Sequence, residues 1–513
     1  MILVHPSLIS EIDRYARDSL GIPTLTLMRR AGEAVAKAVM EYVPTGSNIS
    51  IFVGKGNNGG DGYAAACILN DKYSVKVYDV FAAGQRSEEG RHFLNVFISL
   101  GGKIESLIFD DGQISDISNS HCVVDAIFGT GFSGQLPDIT LRLAALFESL
   151  NGIVKISVDA PLGINASDGT VLDGGSYHTD VTVVLGFVKT GLVSYPSKEY
   201  VGRLIYDNLG LQNNDILEAF DVSEHLIDSD TARYLLPKRQ DNSNKGSFGK
   251  ALVITGSDTF FGAAHLSVEA ALRSGVGYVT FLGSGSACDS LIQKFPEAIY
   301  KRLEIGELTD QSLSDVISLA RRHDAILIGS GSTVTPGLLK IIESLLSEEV
   351  TLILDADAIN ALAIDAEYGR EVLRGARATV ILTPHPLELS RISGIPVREI
   401  QADRFNVAKH FAKENNCILI LKGAATVVTN GSRTYINSSG SSALAKAGSG
   451  DVLAGFLSGV TASVVDPLDA AALSVYLHGV AADSLSEELS EYGVTPSDLP
   501  KEMARQIVRL RNT

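Results

Sequence analysis

The sequence predicts an α/β protein of two domains, the first a doubly wound, mostly parallel sheet. Three observations carry the prediction. Short β-branched runs alternate with helical patterns along almost the whole chain, as when strands are joined by crossover helices. The alternation weakens once, at about 215–247, where the polar, proline-containing stretch LLPKRQDNSNKGSFGK intervenes. The 513 residues, 45% apolar and 20% charged, are enough for more than one sizeable core and argue against global disorder. The first domain is therefore placed at residues 1–220 and the second at 225–513.

In order, a helix pair from about Ser7 to Val43 precedes the first strand. Strands are expected at Ile49–Val53, Ser74–Val80, Cys122–Ala126, Lys155–Val158 and Asp180–Leu185, with helices at Asp61–Asn70, Ser87–Leu100 and Ile139–Leu150 between them. Beyond the polar stretch the rhythm restarts. Strands are expected at Ala251–Thr255, Tyr278–Leu282, Ala325–Ile328, Leu352–Leu354, Thr379–Leu382 and Cys417–Lys422, then a hairpin of Thr426–Thr429 and Thr434–Ile436. Helices are expected at Ala263–Ser274 and Asp451–Ser463.

A formal charge of −17 makes nucleic acid a poor default partner, because phosphate contacts need clustered Lys and Arg. It leaves room for a local basic pocket. Cys67, Cys122, Cys288 and Cys417 form no C-x-x-C pair and sit among apolar neighbours, which suits reduced thiols in a cytoplasmic protein. No 18-residue apolar run exists and no N-terminal stretch resembles a signal peptide, so no membrane partner is expected.

The stretch IFVGKGNNGGDGYAAACIL, Ile51–Leu69, runs from strand through glycine loop to helix, the layout of an anion site. Gly54 to Gly59 is literally G-x-G-x-x-G, and Asp79 follows Gly59 by twenty residues, as in a dinucleotide fingerprint. Yet a carboxylate at Asp61 would repel a pyrophosphate, and Asn57 and Asn58 supply neutral oxygens that suit a hard cation as well as ligand hydroxyls. Two further loops, VVDAIFGTGFSG and ISVDAPLGIN, put Asp125 and Asp159 at strand ends. A single such Asp is usually a helix cap; three acid-bearing glycine loops on the ligand-binding edge of one sheet point to a pocket.

Together GKGNNGGDG, DAIFGTGFSG and VDAPLGIN resemble the epimerase domain of the NAD(P)H-hydrate repair enzymes, over about 1–215. The resemblance implies that Asn57, Asn58, Gly59, Gly60 and Asp61, with Gly129, Thr130, Gly131, Phe132, Ser133, Gly134 and Gln135, cradle the hydrated dinucleotide. It implies a potassium ion on Asn58 and Asp125, and a substrate-touching, catalytic role for Asp159. Leu162 stands where the family usually has Ser or Thr, so only its backbone carbonyl could serve the potassium. Arg30 stands where the family usually has Glu, and Lys189 in GFVKTGL matches a lysine whose role is open between a solvated or phosphate-facing charge and catalysis.

The second half carries another constellation. AKAGSGDVLAGFLSG, Ala445–Gly459, is a glycine loop feeding an apolar helix, with Asp451 at the helix start. Bare N–H groups there would stabilise a moving phosphoryl and Asp451 could accept the attacking hydroxyl's proton. As an N-cap alone, Asp would be ordinary. KGAATVV, AILIGSGST, LILDADAIN and ILTPHPLELSRI place Lys422, Gly331, Asp355, Asp357 and His385 at strand ends.

These motifs, in order, resemble the ADP- or ATP-dependent NAD(P)H-hydrate dehydratases, a branch of the ribokinase-like fold, over about 225–510. The resemblance implies that Ala263, Gly331, His385 and Asp451 contact the hydrated dinucleotide, and that Lys422, Gly423, Ala424, Ala425, Thr426 and Gly450 contact the adenine nucleotide. Asp451 would be the catalytic base, with Mg²⁺ accompanying ADP or ATP. Ser332-Thr333 and the loop NSSGSSALAKAGSGD depart from the family's usual residues.

Both halves thus point to repair of hydrated NADH or NADPH: epimerisation of the R and S hydrates by the first domain, nucleotide-dependent dehydration of the S hydrate by the second. A homo-oligomer is expected. The alternative is a ribokinase-like kinase of a small-molecule hydroxyl, carrying a non-catalytic N-terminal binding module.

Overall fold

The computed structural model describes residues 2–81, 86–132, 134–305 and 308–512. They group into two compact units, Ile2–Glu224 and His225 onward.

The first unit is built on a seven-stranded sheet, parallel throughout. Its order is Lys103–Ser106, Ser74–Asp79, Asn48–Val53, Cys122–Ala126, Val154–Val158, Val181–Leu185, Arg203–Asp207. The inner strands are buried on both faces, which is why they read as mostly apolar runs, interrupted by the buried Ser50, Asp125 and Thr182. One face packs Val35, Ile51, Tyr63, Val77 and Val124; the other packs Phe52, Tyr78, Phe147 and Tyr177. Strand order reverses between Asn48–Val53 and Cys122–Ala126, so a crevice opens beyond their carboxyl ends. Gly54 occupies that point: its N–H bonds the Ala126 carbonyl at 3.1 Å, and a Cβ there would lie 1.9 Å from the Ile127 carbonyl oxygen.

The helix after Gly54 starts earlier than the sequence predicts, at Asn57 rather than Asp61, and runs to Leu69. Gly59 and Gly60 are poor helix formers, but tight packing requires them. A Cβ on Gly59 would meet the Gly54 carbonyl oxygen at 2.1 Å, and one on Gly60 would meet Met28 Cε at 2.5 Å. The expected N-terminal helix pair is present as Ile9–Asp18 and Thr24–Tyr42. It is preceded by a short strand, Ile2–Val4, that pairs in parallel with Val188–Lys189.

In the second unit the sheet runs Ile299–Arg302, Tyr278–Gly283, Lys250–Ile254, Ala325–Ile328, Thr351–Leu354, Thr379–Leu382 and Ile418–Leu421, all parallel. The antiparallel hairpin Val427–Thr429 and Thr434–Asn437 continues it. Order reverses between Lys250–Ile254 and Ala325–Ile328. Helices Phe261–Arg273 and Ser449–Thr461 pack on one face, around Val268, Ala271, Val452 and Phe456. The second of these starts two residues ahead of the expected Asp451, with Gly448 as its N-cap at φ +100°. No helix among the described residues is long and apolar enough to cross a membrane.

Candidate active sites

In the first unit a cavity of about 610 Å³ lies at the carboxyl end of the sheet. Asn57, Asn58, Asp61, Gly129, Thr130, Gly131, Phe132 and Asp159 line it, as do Asp13, Lys55 and Lys189. Gly56 caps the helix Asn57–Leu69 without a side-chain bond, leaving first-turn N–H groups for a ligand. Phe128 and Phe132 stack at a centroid separation of 3.9 Å on the wall. Gly59 and Gly60 instead face the scaffold, Gln135 is exposed, and neither Gly134 nor Gln135 lines the cavity. Ser133 lies outside the described residues.

Asp159 follows Val158 with φ +67°, a left-handed conformation that costs a non-glycine residue of order 1–3 kcal/mol. Fixed bonds hold it there. Its N–H bonds the Val183 carbonyl at 2.8 Å, Oδ1 pairs with the Lys189 ammonium and accepts the Leu185 N–H, and Oδ2 accepts the Thr130 hydroxyl at 3.1 Å. Lys189 is 1% exposed and also bonds the Leu185 carbonyl at 2.8 Å. Beside this pair, burial and the charges of Asp159 and Asp13 push the Asp61 carboxyl well above its usual range.

Asn58 donates through Nδ2 to the Phe128 carbonyl at 2.9 Å, while its buried Oδ1 has no partner among the described residues. Asp125, 1% exposed, accepts the Leu162 N–H and the Tyr177 hydroxyl, each at 2.9 Å, and the Ile127 N–H at 3.1 Å. Burial still raises its carboxyl to about 6. An orphaned amide oxygen and an incompletely compensated carboxylate fit a hard cation. The Leu162 side chain packs into the core beside Phe147 and Tyr177, and its carbonyl already accepts the Ser176 hydroxyl at 2.7 Å. Arg30 acts in the scaffold, bonding the Leu209 carbonyl at 2.6 Å.

In the second unit Asp355 is the hub. Its carboxylate accepts Ser330 Oγ at 2.8 Å, Thr383 Oγ1 at 2.6 Å and Lys422 Nζ at 2.9 Å. Burial opposes its charge, but the Lys422 ammonium and these hydroxyls outweigh it and hold the carboxyl below its usual value. Lys422 also faces Glu388 at 4.0 Å, and a Cβ on Gly450 would lie 3.3 Å from its ammonium. Lys422, Gly450 and Asp451 therefore converge at the glycine loop. Burial, with Asp355 adding repulsion, raises the Asp451 carboxyl to about 7.

Ala263 and Gly331 abut: a Cβ on Gly331, at φ +65°, would lie 2.7 Å from that of Ala263. His385 caps the helix Pro386–Ser393, accepting the Glu388 N–H on Nδ1 at 3.2 Å while Glu388 accepts the His385 N–H at 2.8 Å. Gly423, Ala424, Ala425 and Thr426 form a tight turn closed by the Thr426 hydroxyl on the Gly423 carbonyl at 2.8 Å, with Ala425 at φ +48°.

Asp13 escaped the sequence analysis, and so did two residues of the second unit. Buried Arg404 donates to the carbonyls of Leu421 and Lys422 at 3.0 and 3.1 Å and so fixes the strand end that aims Lys422. His478, on the helix Pro467–Gly493, stays neutral because burial lowers it to about 4. Neither carries a motif; each is one polar residue in an amphipathic or apolar helix.

A family model described as YjeF-related protein N-terminus matches residues 24–191, and one described as NAD(P)H-hydrate dehydratase matches 251–505. A bifunctional NAD(P)H-hydrate repair enzyme of Moorella thermoacetica is 33% identical, with 97% of this chain and 95% of that protein covered. One of Thermofilum pendens is 32% identical, with 100% and 97% covered. The chain belongs to the bifunctional NAD(P)H-hydrate repair enzyme family. Among solved structures, the ADP/ATP-dependent NAD(P)H-hydrate dehydratase of Bacillus subtilis, co-crystallised with ATP and Mg²⁺, is 31% identical and covers 56% of this chain and 98% of its own, with a TM-score of 0.48. The family's two parts correspond to the two units, a Rossmann-like sheet and a ribokinase-like α/β sheet with its terminal hairpin. A lone kinase carrying a binding module is not favoured, since the repair enzymes match along the whole chain.

Proposed function

We propose that the chain repairs hydrated NADH and NADPH, its first domain interconverting the R and S hydrates and its second dehydrating the S hydrate at the expense of ADP or ATP. The observation that carries the second step is the convergence of Lys422, Gly450 and a carboxyl at Asp451 held near neutrality. Hydroxide is a poor leaving group. Asp451 accepts the hydroxyl proton as that oxygen attacks the terminal phosphoryl. Lys422 and the N–H groups at the start of helix Ser449–Thr461 face the charge of the moving group. Loss of phosphate, with a proton from the neighbouring carbon, restores the double bond. Ala263, Gly331 and His385 bind the hydrated dinucleotide, and Lys422 to Thr426 with Gly450 bind the adenine nucleotide. Mg²⁺ bound with the nucleotide would neutralise phosphate charge.

In the first domain, Asn57, Asn58 and Asp61 with Gly129, Thr130, Gly131 and Phe132 cradle the dinucleotide and Asp159 lies against it. Asn58, Asp125 and the Leu162 carbonyl would hold K⁺, which would offset the buried Asp125 carboxylate; the orphaned Asn58 Oδ1 supports this. The domains divide at residues 220–225. A cytoplasmic location is supported by four cysteines without disulfides. A homo-oligomer is expected, which light scattering checks.

The deciding experiment incubates purified hydrate epimers with the protein, Mg²⁺ and ADP or ATP and follows recovery of the reduced nicotinamide absorbance. Recovery from S alone with the second domain, and from R and S with the full chain, is the expected result. A stable phosphorylated product without recovered NADH would instead return the kinase.

A further inference from the structure

The N-terminal cavity holds more ionisable groups than a binding cradle needs. Asp159, the motif residue, is fully engaged: Lys189 and the Leu185 N–H hold one oxygen and Thr130 the other. Asp13 and Asp61 line the same cavity and have no hydrogen-bond or ion-pair partner among the described residues. Their placement is built in. Ile2–Val4 pairs in parallel with Val188–Lys189, Val4 opposite Lys189, and the chain then runs into helix Ile9–Asp18, which brings Asp13 over the Lys189–Asp159 pair. Asp61 arrives from the first turns of helix Asn57–Leu69.

Resting on the epimerase function above, we infer that Asp13 and Asp61 are the proton-transfer groups of the first domain, and that Asp159 and Lys189 are the fixed charges that hold the pair in place. Hydration puts the substrate's hydroxyl on the carbon bonded to the ring nitrogen. Inversion there proceeds by opening and reclosing the ring. The carbon–nitrogen bond breaks and its electron pair goes to nitrogen, which takes the proton of the Asp61 carboxyl. The hydroxyl proton passes to the Asp13 carboxylate and the carbon–oxygen bond becomes a carbonyl. Rotation about the adjacent single bond and reclosure on the other face return both protons, so nothing is consumed.

The electrostatics agree with this division. Asp61 is pushed well above the carboxylate range by burial and by Asp159 and Asp13, which keeps it a donor. Asp13 is raised by burial less steeply, since the Lys189 ammonium counters it more than Asp159 adds. Among the described residues Lys55 is the other charged group on the cavity wall.

The test uses the full chain, whose dehydration of pure S hydrate reports folding. Asp13→Asn and Asp61→Asn are each expected to slow conversion of R to S at least about a hundredfold, with S dehydration within about twofold of wild type. Near wild-type epimerisation by either variant overturns the inference while leaving the proposed function intact. A wild-type chain that does not exceed the uncatalysed rate overturns both. Should a variant lose dehydration too, formate rescue of Asp13→Gly decides: restored epimerisation supports proton transfer by Asp13, and none overturns it.

Discussion

Asp451 illustrates how much one carboxyl can report. Its raised value near 7 means that at neutral pH a folded chain holds a proton that an unfolded chain has released. The folded value exceeds the unfolded one, so stability falls as pH rises from about 4 to 7 and then levels off. The raised carboxyl corresponds to at most about 4 kcal/mol, less where water screens the group. Asp451→Asn should therefore leave the second domain no less stable at pH 5 and more stable at pH 8, by on the order of 1–3 kcal/mol, as denaturant titration would read. The same variant should lose dehydration by at least about a hundredfold while epimerisation stays intact. In the wild type, dehydration should rise with pH through about 7. An Asn variant with wild-type turnover would reduce Asp451 to an acidic residue of the helix's first turn and move the search for the base to His385.

Among the elements, the turn at Gly54 is the most exacting. Any Cβ there collides with the Ile127 carbonyl at the point where strand order reverses. Gly54→Ala should cost the first domain about 1–3 kcal/mol or more and lower its melting temperature and epimerisation, leaving dehydration within about twofold. This turn was legible in the sequence, because its glycines are dense and its flanking strand is mostly apolar. The inner strands were legible for the same reason, burial on both faces. The strands Lys103–Ser106, Arg203–Asp207 and Ile299–Arg302 were not: they are partly exposed and carry charges, so their pattern resembles that of a loop. The first turn of helix Asn57–Leu69 was missed because packing against Met28 and Gly54 overrides glycine's weak propensity. Asp13 was illegible for another reason. It is one of several charged residues on an amphipathic helix, and only the fold brings it over Lys189.

Across the whole molecule, each unit has its own apolar clusters, around Ile51 and Phe52 in the first and around Val253 and Ile326 in the second. Genes cut between Glu224 and His225 should yield two folded fragments, the first epimerising and the second dehydrating. Insoluble fragments, or a fragment whose activity needs the other added back, would refute that. The motifs showed the fold class and the family in advance because glycine loops and strand-end acids are local. Arg404, which fixes the strand end that carries Lys422, lies on the helix just before that strand, but its bonds to the carbonyls of Leu421 and Lys422 emerged only in three dimensions.

Asp355 has a mechanical consequence. One carboxylate ties Ser330, Thr383 and Lys422, each just beyond the end of a different strand, while the Thr383 N–H holds the Leu354 carbonyl and the Lys422 N–H holds that of Pro384. The rim of the sheet is thus riveted before any nucleotide arrives. Nucleotide should dock on a frame that does not yield, so in hydrogen–deuterium exchange the amides of Ile353, Leu382 and Leu421 should keep one rate with or without ADP. Protection should be gained in the glycine loop instead, at Gly448 to Gly450.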